Sequence, residues 1–327
     1  VSPSQRTIQE MRLFIYELVS AGGLGADTPV SLRREGRAML SALSEDFGLI
    51  PGVETILTEG RGSDETSVFR ELAASADLAL IIAPEFDDHL ALRSQMAVDA
   101  GCRLLGSGPD AVRLASDKLQ LAGFLRQRGI PTPPTQLLDV SKPTEPEGPR
   151  VCKPRFGAGS SFVFLFRSRN DLPELPKVEM IEQPYVPGQP VSVAFLIGPK
   201  QIVPTPGATQ HLSDDGRFHY RGGRTPLPPP LRDRAVPLAR RAVEAVPGLQ
   251  GYVSVDLVLG KAPDGSGDVV IEINPRLTTS YIGLRQLTCT NLAELWLRLW
   301  KGEAVDFPDW SDDMIEFTAD GRVWLAV

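Results

Sequence analysis

A chain of 327 residues with 42% hydrophobic and 23% charged side chains can bury a sizeable core and reads as a globular protein of two or three units. Its formal net charge of −7 argues against a nucleic-acid partner, because non-specific binding needs many Lys and Arg contacts to phosphate. Cys102, Cys152 and Cys289 form no C-x-x-C pair, and His89, His211 and His219 show no zinc-ligand spacing with them, which predicts a reduced, cytoplasmic protein.

The start, VSPSQRTIQEMRLF, lacks the apolar centre of a signal peptide, and residues 1–10 read as a loose leader. No apolar run is long enough to span a bilayer, so no membrane partner is expected. RLFIYE (12–17), VETILT (53–58), LALIIA (78–83) and CRLLGS (102–107) read as strands. Between the first two, Thr28-Pro29 reads as a helix start, with Leu32, Met39, Leu40 and Leu43 on one side. Strand–helix alternation of this kind predicts an open parallel α/β layer. The loop ELVSAGGLGA follows the first strand, at the carboxyl edge where such sheets bind ligands, but it lacks the G-x-G-x-x-G spacing of a dinucleotide site.

A second unit begins near Pro109. Ser116 is the expected cap of a helix carrying Asp117 and Lys118, which closes at Gly129 and is stopped by Pro131. RVCKPRFGAGSSFVFLF then gives strand, Gly-rich turn, strand, and VEMIEQPYVPGQPVSVAFLIG gives two strands around a Pro/Gly bend; TEPEGPR (144–150) reads as a surface loop. In the third unit, a helix carries Leu231, Ala235, Leu238, Ala242 and Val246 in step, two strands follow, and NLAELWLRLW (291–300) is a last helix.

Three constellations carry chemistry. In YVSVDLVLGKAPDGSGDVVIEINPR, a hairpin turning at Asp264-Gly265 sets Asp256 opposite Glu272. Period-two alternation then puts Ser254, Asp256, Glu272 and Asn274 on one face, and Val253, Val255, Leu257, Ile271 and Ile273 on the other. Facing carboxylates repel unless a proton or cation lies between them, and an oxygen-only set suits Mg²⁺. A hairpin with one solvated acidic face gives the same pattern.

Lys153, followed by RFGAGSS, offers a strand lysine and a loop whose amides can turn toward an anion; a plain hairpin turn explains the glycines but has no need of Lys153. EQPYVPG (182–188) offers the Pro184 carbonyl and the Val186 amide on an extended segment, as an adenine edge requires, and equally reads as a strand ending in a turn. Lys118 alone reads as a surface lysine.

In this order, a lysine, a lysine with a Gly-rich loop, an extended hinge, then Asp and Glu-x-Asn, the chain resembles the ATP-grasp superfamily over roughly residues 110–300. The resemblance implies an α/β and α+β protein: an ATP-grasp fold behind an N-terminal open parallel α/β (pre-ATP-grasp) domain. The units are expected at 1–108 (N-terminal domain), 109–184 (small ATP-grasp sub-domain) and 185–327 (C-terminal sub-domain with the metal and substrate sites). It implies ATP contacted by Lys118 and Lys153, covered by Gly157, Gly159, Ser160 and Ser161, and held at adenine by Gln183, Pro184, Tyr185 and Val186, with Glu182 a further cofactor contact. Asp256, Glu272 and Asn274 would ligate Mg²⁺, with Mn²⁺ able to substitute. Gln189 stands where many members carry an acidic ribose ligand. Ser254 stands where the D-alanine ligase branch has an arginine, which leaves Arg276, with Lys153, to stabilise developing negative charge.

FIYELVSAGGL, QHLSDDGRFHYRGGRTPLP and EINPRLTTSYIGL extend the likeness to the tyramine–glutamate ligase branch, which serves methanofuran-type cofactor synthesis. That resemblance implies small-molecule substrates: a carboxylate, the γ-carboxylate of glutamate, activated as an acyl phosphate and then attacked by an amine, tyramine or tyrosine. The Gly-rich loop and SDDGRFHYRGG are candidate lids. Glu17 and Ser20 are candidate contacts for a substrate ammonium, Arg285 for a carboxylate, and Thr278, Thr279 and Ser280 for positioning it. The rival activities are another ATP-grasp ligase with a different amino acid or amine substrate and, behind it, a small-molecule kinase on the same scaffold; a homodimer is left open.

Overall fold

The computed structural model describes residues 10–25, 28–58, 64–140 and 147–326, and the statements below concern those residues. Residues 1–9 of the expected leader and the first part of the 144–150 loop lie outside them.

The chain opens with β1 (Met11–Glu17), α1 (Val30–Gly48), β2 (Val53–Ile56), α2 (Glu65–Ser75), β3 (Leu78–Ile82), α3 (His89–Asp99) and β4 (Arg103–Leu104). The strands form an all-parallel sheet in the order β2-β1-β3-β4. The expected strand over 102–107 is thus reduced to two residues at the sheet's edge. Thr28 is not a helix cap: its hydroxyl donates to the Gly25 carbonyl (2.9 Å), and α1 starts behind Pro29 with no side-chain cap. Because β1 and β3 are parallel neighbours, with Glu17 beside Ile82, both deliver their following loops to one edge of the sheet.

Next come α4 (Pro109–Ser116) and α5 (Lys118–Gln127), and a sheet of β5 (Gln136–Leu137), β6 (Arg150–Pro154), β7 (Phe164–Phe166) and β8 (Met180–Pro184) in the order β5-β8-β6-β7. The cap of α5 is Asp117, not Ser116. Asp117 accepts from the Leu119 and Gln120 amides (both 3.1 Å), whereas Ser116 closes α4 by donating back to the Val112 carbonyl. A carboxylate accepts the helix's free N–H groups better than a hydroxyl already turned to its own helix.

The remainder supplies β9 (Gln189–Ile197), β10 (Ile202–Pro204), β11 (Ala208–Leu212), β12 (Tyr220–Thr225), α6 (Pro229–Ala245), β13 (Gly251–Leu259), β14 (Val269–Asn274), α7 (Ser280–Leu284), α8 (Leu292–Trp300), β15 (Ile315–Thr318) and β16 (Val323–Leu325). The strands make one sheet in the order β14-β13-β9-β11-β12-β15-β16, with β10 also on β9. The two strands around the Pro/Gly bend therefore do not pair: β8 ends the small sheet and β9 begins the large one.

Strand alternation divides the large sheet's two faces. Val191, Val193, Phe195, Val253 and Val255 pack with α6, α4 and α5, so residues 109–127 bury their apolar side on the large sheet while residues 136–184 form the small one. Ala194, Leu196 and Tyr252 face the other way, sharing a core with Leu13, Leu43, Phe47, Tyr281 and Trp296. That shared core joins the N-terminal domain to the large sheet. Farther along this second face the apolar residues give way to Ser192, Ser254, Asp256, Glu272 and Asn274.

Candidate active site

A cleft of about 260 Å³ opens between the two antiparallel sheets, with Glu35 of α1 on its wall. On its floor, β13 and β14 pair Ser254 with Asn274 and Asp256 with Glu272, the register expected from the Asp264-Gly265 turn. Beyond that pair the register slips: Leu257 faces Val270, and Ile271 is the extra residue of a β-bulge. Ile271 is therefore not a core residue as the alternation predicted. It lines the cleft, and Val270 is fully buried in its stead.

Asn274 donates its Nδ2 to Asp256 Oδ2 (3.1 Å), and Lys118 Nζ stands 3.8 Å from Glu272 Oε2. Burial, then the Glu272 charge, push the Asp256 carboxyl up to about 7. Burial also raises Glu272, but Lys118 and Lys153 outweigh it and hold that carboxyl below its usual range. Two facing carboxylates oppose each other's ionisation, and Asp256 bears the greater part of that cost. A hard divalent cation ligated by Asp256, Glu272 and Asn274 fits this all-oxygen set and would relieve that repulsion.

Lys153, on β6, is 7% exposed and opposite this floor; burial lowers its ammonium to about 8, with Glu272 and Asp256 pulling the other way. Lys118 Nζ donates to the Gly157 carbonyl (2.7 Å), which ties the first turn of α5 to the Gly-rich loop. Arg155 strengthens the tie. Its guanidinium chelates Asp117, and its carbonyl accepts from the Lys118 amide (3.2 Å). Gly159 (φ 65°) and Ser160 (φ 57°) adopt left-handed backbone, the conformation that turns successive amides toward an anion.

The hinge wall consists of Gln183, Pro184, Tyr185 and Val186. The Tyr185 amide is bonded to the Pro149 carbonyl (2.9 Å), and its ring stacks on Phe218 (6.0 Å between centroids) from the β11–β12 loop. That loop reaches the small sheet as well, since the Leu165 amide donates to the Gly216 carbonyl (2.8 Å). Two hinge expectations are corrected. The Glu182 carboxylate does not line the cleft but lies beneath it, 1% exposed, taking Arg150, Arg169 and Gln136. Gln189 likewise lies off the cleft wall, donating to the Pro190 carbonyl (3.1 Å).

At the far end stand Arg276, Thr278, Thr279 and Ser280, the last three at the start of α7. Arg276 is chelated by Glu85, from the loop after β3, at 2.8 and 2.9 Å, and donates through Nη1 to the Leu277 carbonyl (3.1 Å). Thr278, Ser280 and Tyr252 share hydroxyl hydrogen bonds, and Thr279 donates to the Tyr220 hydroxyl (3.3 Å). Glu17 is 2% exposed and accepts the Val19 and Ser20 amides (3.1 and 2.7 Å); burial raises its carboxyl, opposed by those bonds and by Arg276. Neither Glu17 nor Ser20 lines the cleft. Arg285 is overturned as a carboxylate contact: its guanidinium is spent on Asp46 and Glu45 of α1, away from the cleft.

Sequence reasoning missed Glu85, Tyr220 and Glu35 at this end. A signal for Glu35 lies next door. A Cβ on Gly36 would meet the Glu17 carboxyl carbon at 2.5 Å, so a glycine in mid-helix marks where α1 presses against the end of β1.

Two lysines, a left-handed glycine loop, an extended hinge and paired carboxylates on adjoining sheets define a nucleotide-binding protein of the ATP-grasp type. Residues 115–280 match the ATP-grasp domain and residues 42–112 the pre-ATP-grasp 3 domain, and the chain belongs to the ATP-grasp family, with an N-terminal pre-ATP-grasp domain. It is 28% identical over 231 residues to the tyramine–L-glutamate ligase of Methanocaldococcus jannaschii, covering 71% of this chain and 65% of that one. Its likeness to the Methanocaldococcus fervens tyramine–L-glutamate ligase is 29%, covering 71% and 68%. The chain thus spans about two thirds of the length of these relatives. A crystal structure of an ATP-grasp superfamily protein from Archaeoglobus fulgidus superposes with a TM-score of 0.70 at 25% identity, covering 94% of this chain and 92% of that one. No helix among the described residues is long and apolar enough to cross a membrane.

Proposed function

We propose that this chain is an ATP- and magnesium-dependent carboxylate–amine ligase that activates a carboxylate, the γ-carboxylate of glutamate, and couples it to tyramine or tyrosine. The observation that carries the reading is the Asp256–Glu272 pair facing Lys118 and Lys153 under the Gly-rich loop, with Arg276 at the end of the same cleft. Adenine would lie along Pro184 and Val186, and the phosphates between the two lysines and the 157–161 amides. Magnesium on Asp256, Glu272 and Asn274 would spread the charge of the phosphoryl group in transfer.

A substrate carboxylate oxygen attacks the γ-phosphorus, giving an acyl phosphate and ADP. The amine nitrogen then bonds to the acyl carbon, the C–O bond to phosphate breaks, and the proton leaves the nitrogen. Arg276 has five N–H donors and spends three on Glu85 and Leu277, so two remain for the oxygen that gathers charge at the acyl centre. One such preorganised donor contributes on the order of 3 kcal/mol, about a hundredfold in rate. The Gly-rich loop and the 213–219 loop close over the cleft and keep water from the acyl phosphate.

Two features support tyramine or a related amine: the relatives named tyramine–L-glutamate ligase, and the hydroxyl-rich far end built from Tyr220, Thr278, Thr279 and Ser280. The test is ADP and phosphate release with glutamate and a panel of amines including tyramine and tyrosine. Release that depends on the amine supports the ligase; ADP formation indifferent to every amine overturns it.

A further inference from the structure

Three carboxylates of the N-terminal domain surround Arg276 at the far end of the cleft, and they are not equivalent. Glu85 is chelated to the Arg276 guanidinium. Glu17 is buried and occupied by two backbone amides. Glu35, on α1, is the one of the three that lines the cleft, and its carboxylate carries no hydrogen bond or salt bridge to any described residue. The wall around it is polar: the Tyr220 hydroxyl accepts from Thr279, and Arg276 is turned to Glu85.

A carboxylate left unpaired at the wall of a partly enclosed cleft is costly unless a ligand completes it. Its surroundings decide the ligand's charge. Burial, with Glu17 and Glu85 close by, raises the Glu35 carboxyl, and Arg276 opposes this only in part. A group that relieves such a site donates hydrogen bonds and brings positive charge. An anion would meet the Glu35 carboxylate head on, with Glu17 and Glu85 adding repulsion from behind the wall, and a neutral group would leave the charge unmatched.

Resting on the ligase reading, we infer that Glu35 is a specificity-determining residue, which receives the primary ammonium group of a substrate at the far end of the cleft. The ammonium belongs either to the amine that attacks the acyl phosphate or to the amino acid whose carboxylate is activated. Both present the same N–H₃⁺ donors, and Glu35 stands in the same relation to either.

The test measures binding to the full chain by calorimetry, with magnesium and a non-hydrolysable ATP analogue present, for two matched pairs: tyramine against 4-ethylphenol, and glutamate against glutarate. In each pair only the amino group differs. The wild type is expected to prefer one amino-bearing member at least tenfold, and Glu35→Gln, which keeps shape and removes charge, is expected to abolish that preference while leaving nucleotide affinity unchanged. Loss confined to the tyramine pair assigns the ammonium to the nucleophile; loss confined to the glutamate pair assigns it to the acid. Glu35→Asp should restore part of the preference, which a merely structural role would not predict. The inference is overturned if Glu35→Gln binds all four compounds as the wild type does, or if the wild type prefers neither amino-bearing member. This readout needs no turnover. A wild type with the preference but without amine-dependent ADP release would sink the ligase reading and leave the ammonium site standing.

Discussion

Glu85 holds Arg276 by two hydrogen bonds of 2.8 and 2.9 Å, across the boundary between the parallel sheet and the carboxylate floor. Both side chains are largely buried, at 4% and 12% exposure. The pair fixes the guanidinium's direction, and with the Leu277 bond it accounts for three of the five N–H groups of a residue that lines the cleft. Glu85→Gln keeps one acceptor and loses the second bond and the charge. Its expected effect is a fall in kcat of about tenfold or more, with the KM for ATP within twofold of wild type, because the hinge and lysines are untouched. Steady-state kinetics with ATP varied checks this, and a rise in the KM for ATP at unchanged kcat would count against it.

Glu272 faces both Asp256 and Lys118, and on the proposed function it would hold the metal. Glu272→Gln should reduce turnover at least a hundredfold and leave the circular dichroism spectrum unchanged. The apo protein should be somewhat less stable, since the substitution removes the carboxylate that Lys118 and Lys153 hold in its charged form. Substantial residual activity would remove Glu272 from the metal site.

Lys153 supplies a pH dependence whose sign can be worked out. Its ammonium is lowered to about 8, chiefly by burial, so the neutral form gains ground as pH rises through that value. ATP affinity should therefore decline above about pH 8. Folding stability should move the other way between that value and the unfolded lysine's roughly 10.4, because the unfolded chain then binds more protons. Lys153→Arg, whose guanidinium stays charged, should flatten the decline in nucleotide affinity. An equally steep decline in that variant would place the titrating group elsewhere.

Arg285 is predicted to matter for stability and not for substrate. It chelates Asp46, which also accepts from the Tyr281 hydroxyl (2.6 Å), and the Asp46 carbonyl accepts from Asn291 (2.7 Å). Arg285→Met leaves a buried carboxylate short of its cation, at a cost of about 3 kcal/mol. That corresponds to a fall in Tm of roughly 4 °C by thermal unfolding, with the KM of each substrate unchanged.

Much of this site was legible because its signals are local. The Asp264-Gly265 turn fixes the hairpin register, and the register sets Asp256 against Glu272. Lys153 and its glycines are contiguous, and the hinge is one run of seven residues. What escaped the sequence was either a one-residue irregularity or a long-range pairing. The bulge at Ile271 reverses two side chains without altering the residue pattern. Asp117 took the cap from Ser116 because Arg155, 38 residues away, helps hold its carboxylate at that helix end. Arg285 and Asp46 lie 239 residues apart, and Glu85 and Arg276 lie 191 apart. Nothing in the period of either strand or helix announces such partners, so an arginine already spent on an acid read as one free for substrate.

The acyl phosphate route is the centre of the account, and an oxygen label tests it most directly. Glutamate carrying ¹⁸O in its γ-carboxylate is incubated with the protein, ATP, magnesium and tyramine, and the phosphate and amide are analysed by mass spectrometry. The account predicts one ¹⁸O in each phosphate released, with amide, ADP and phosphate in equal amounts. Unlabelled phosphate, or ADP formed with no amide, would contradict it.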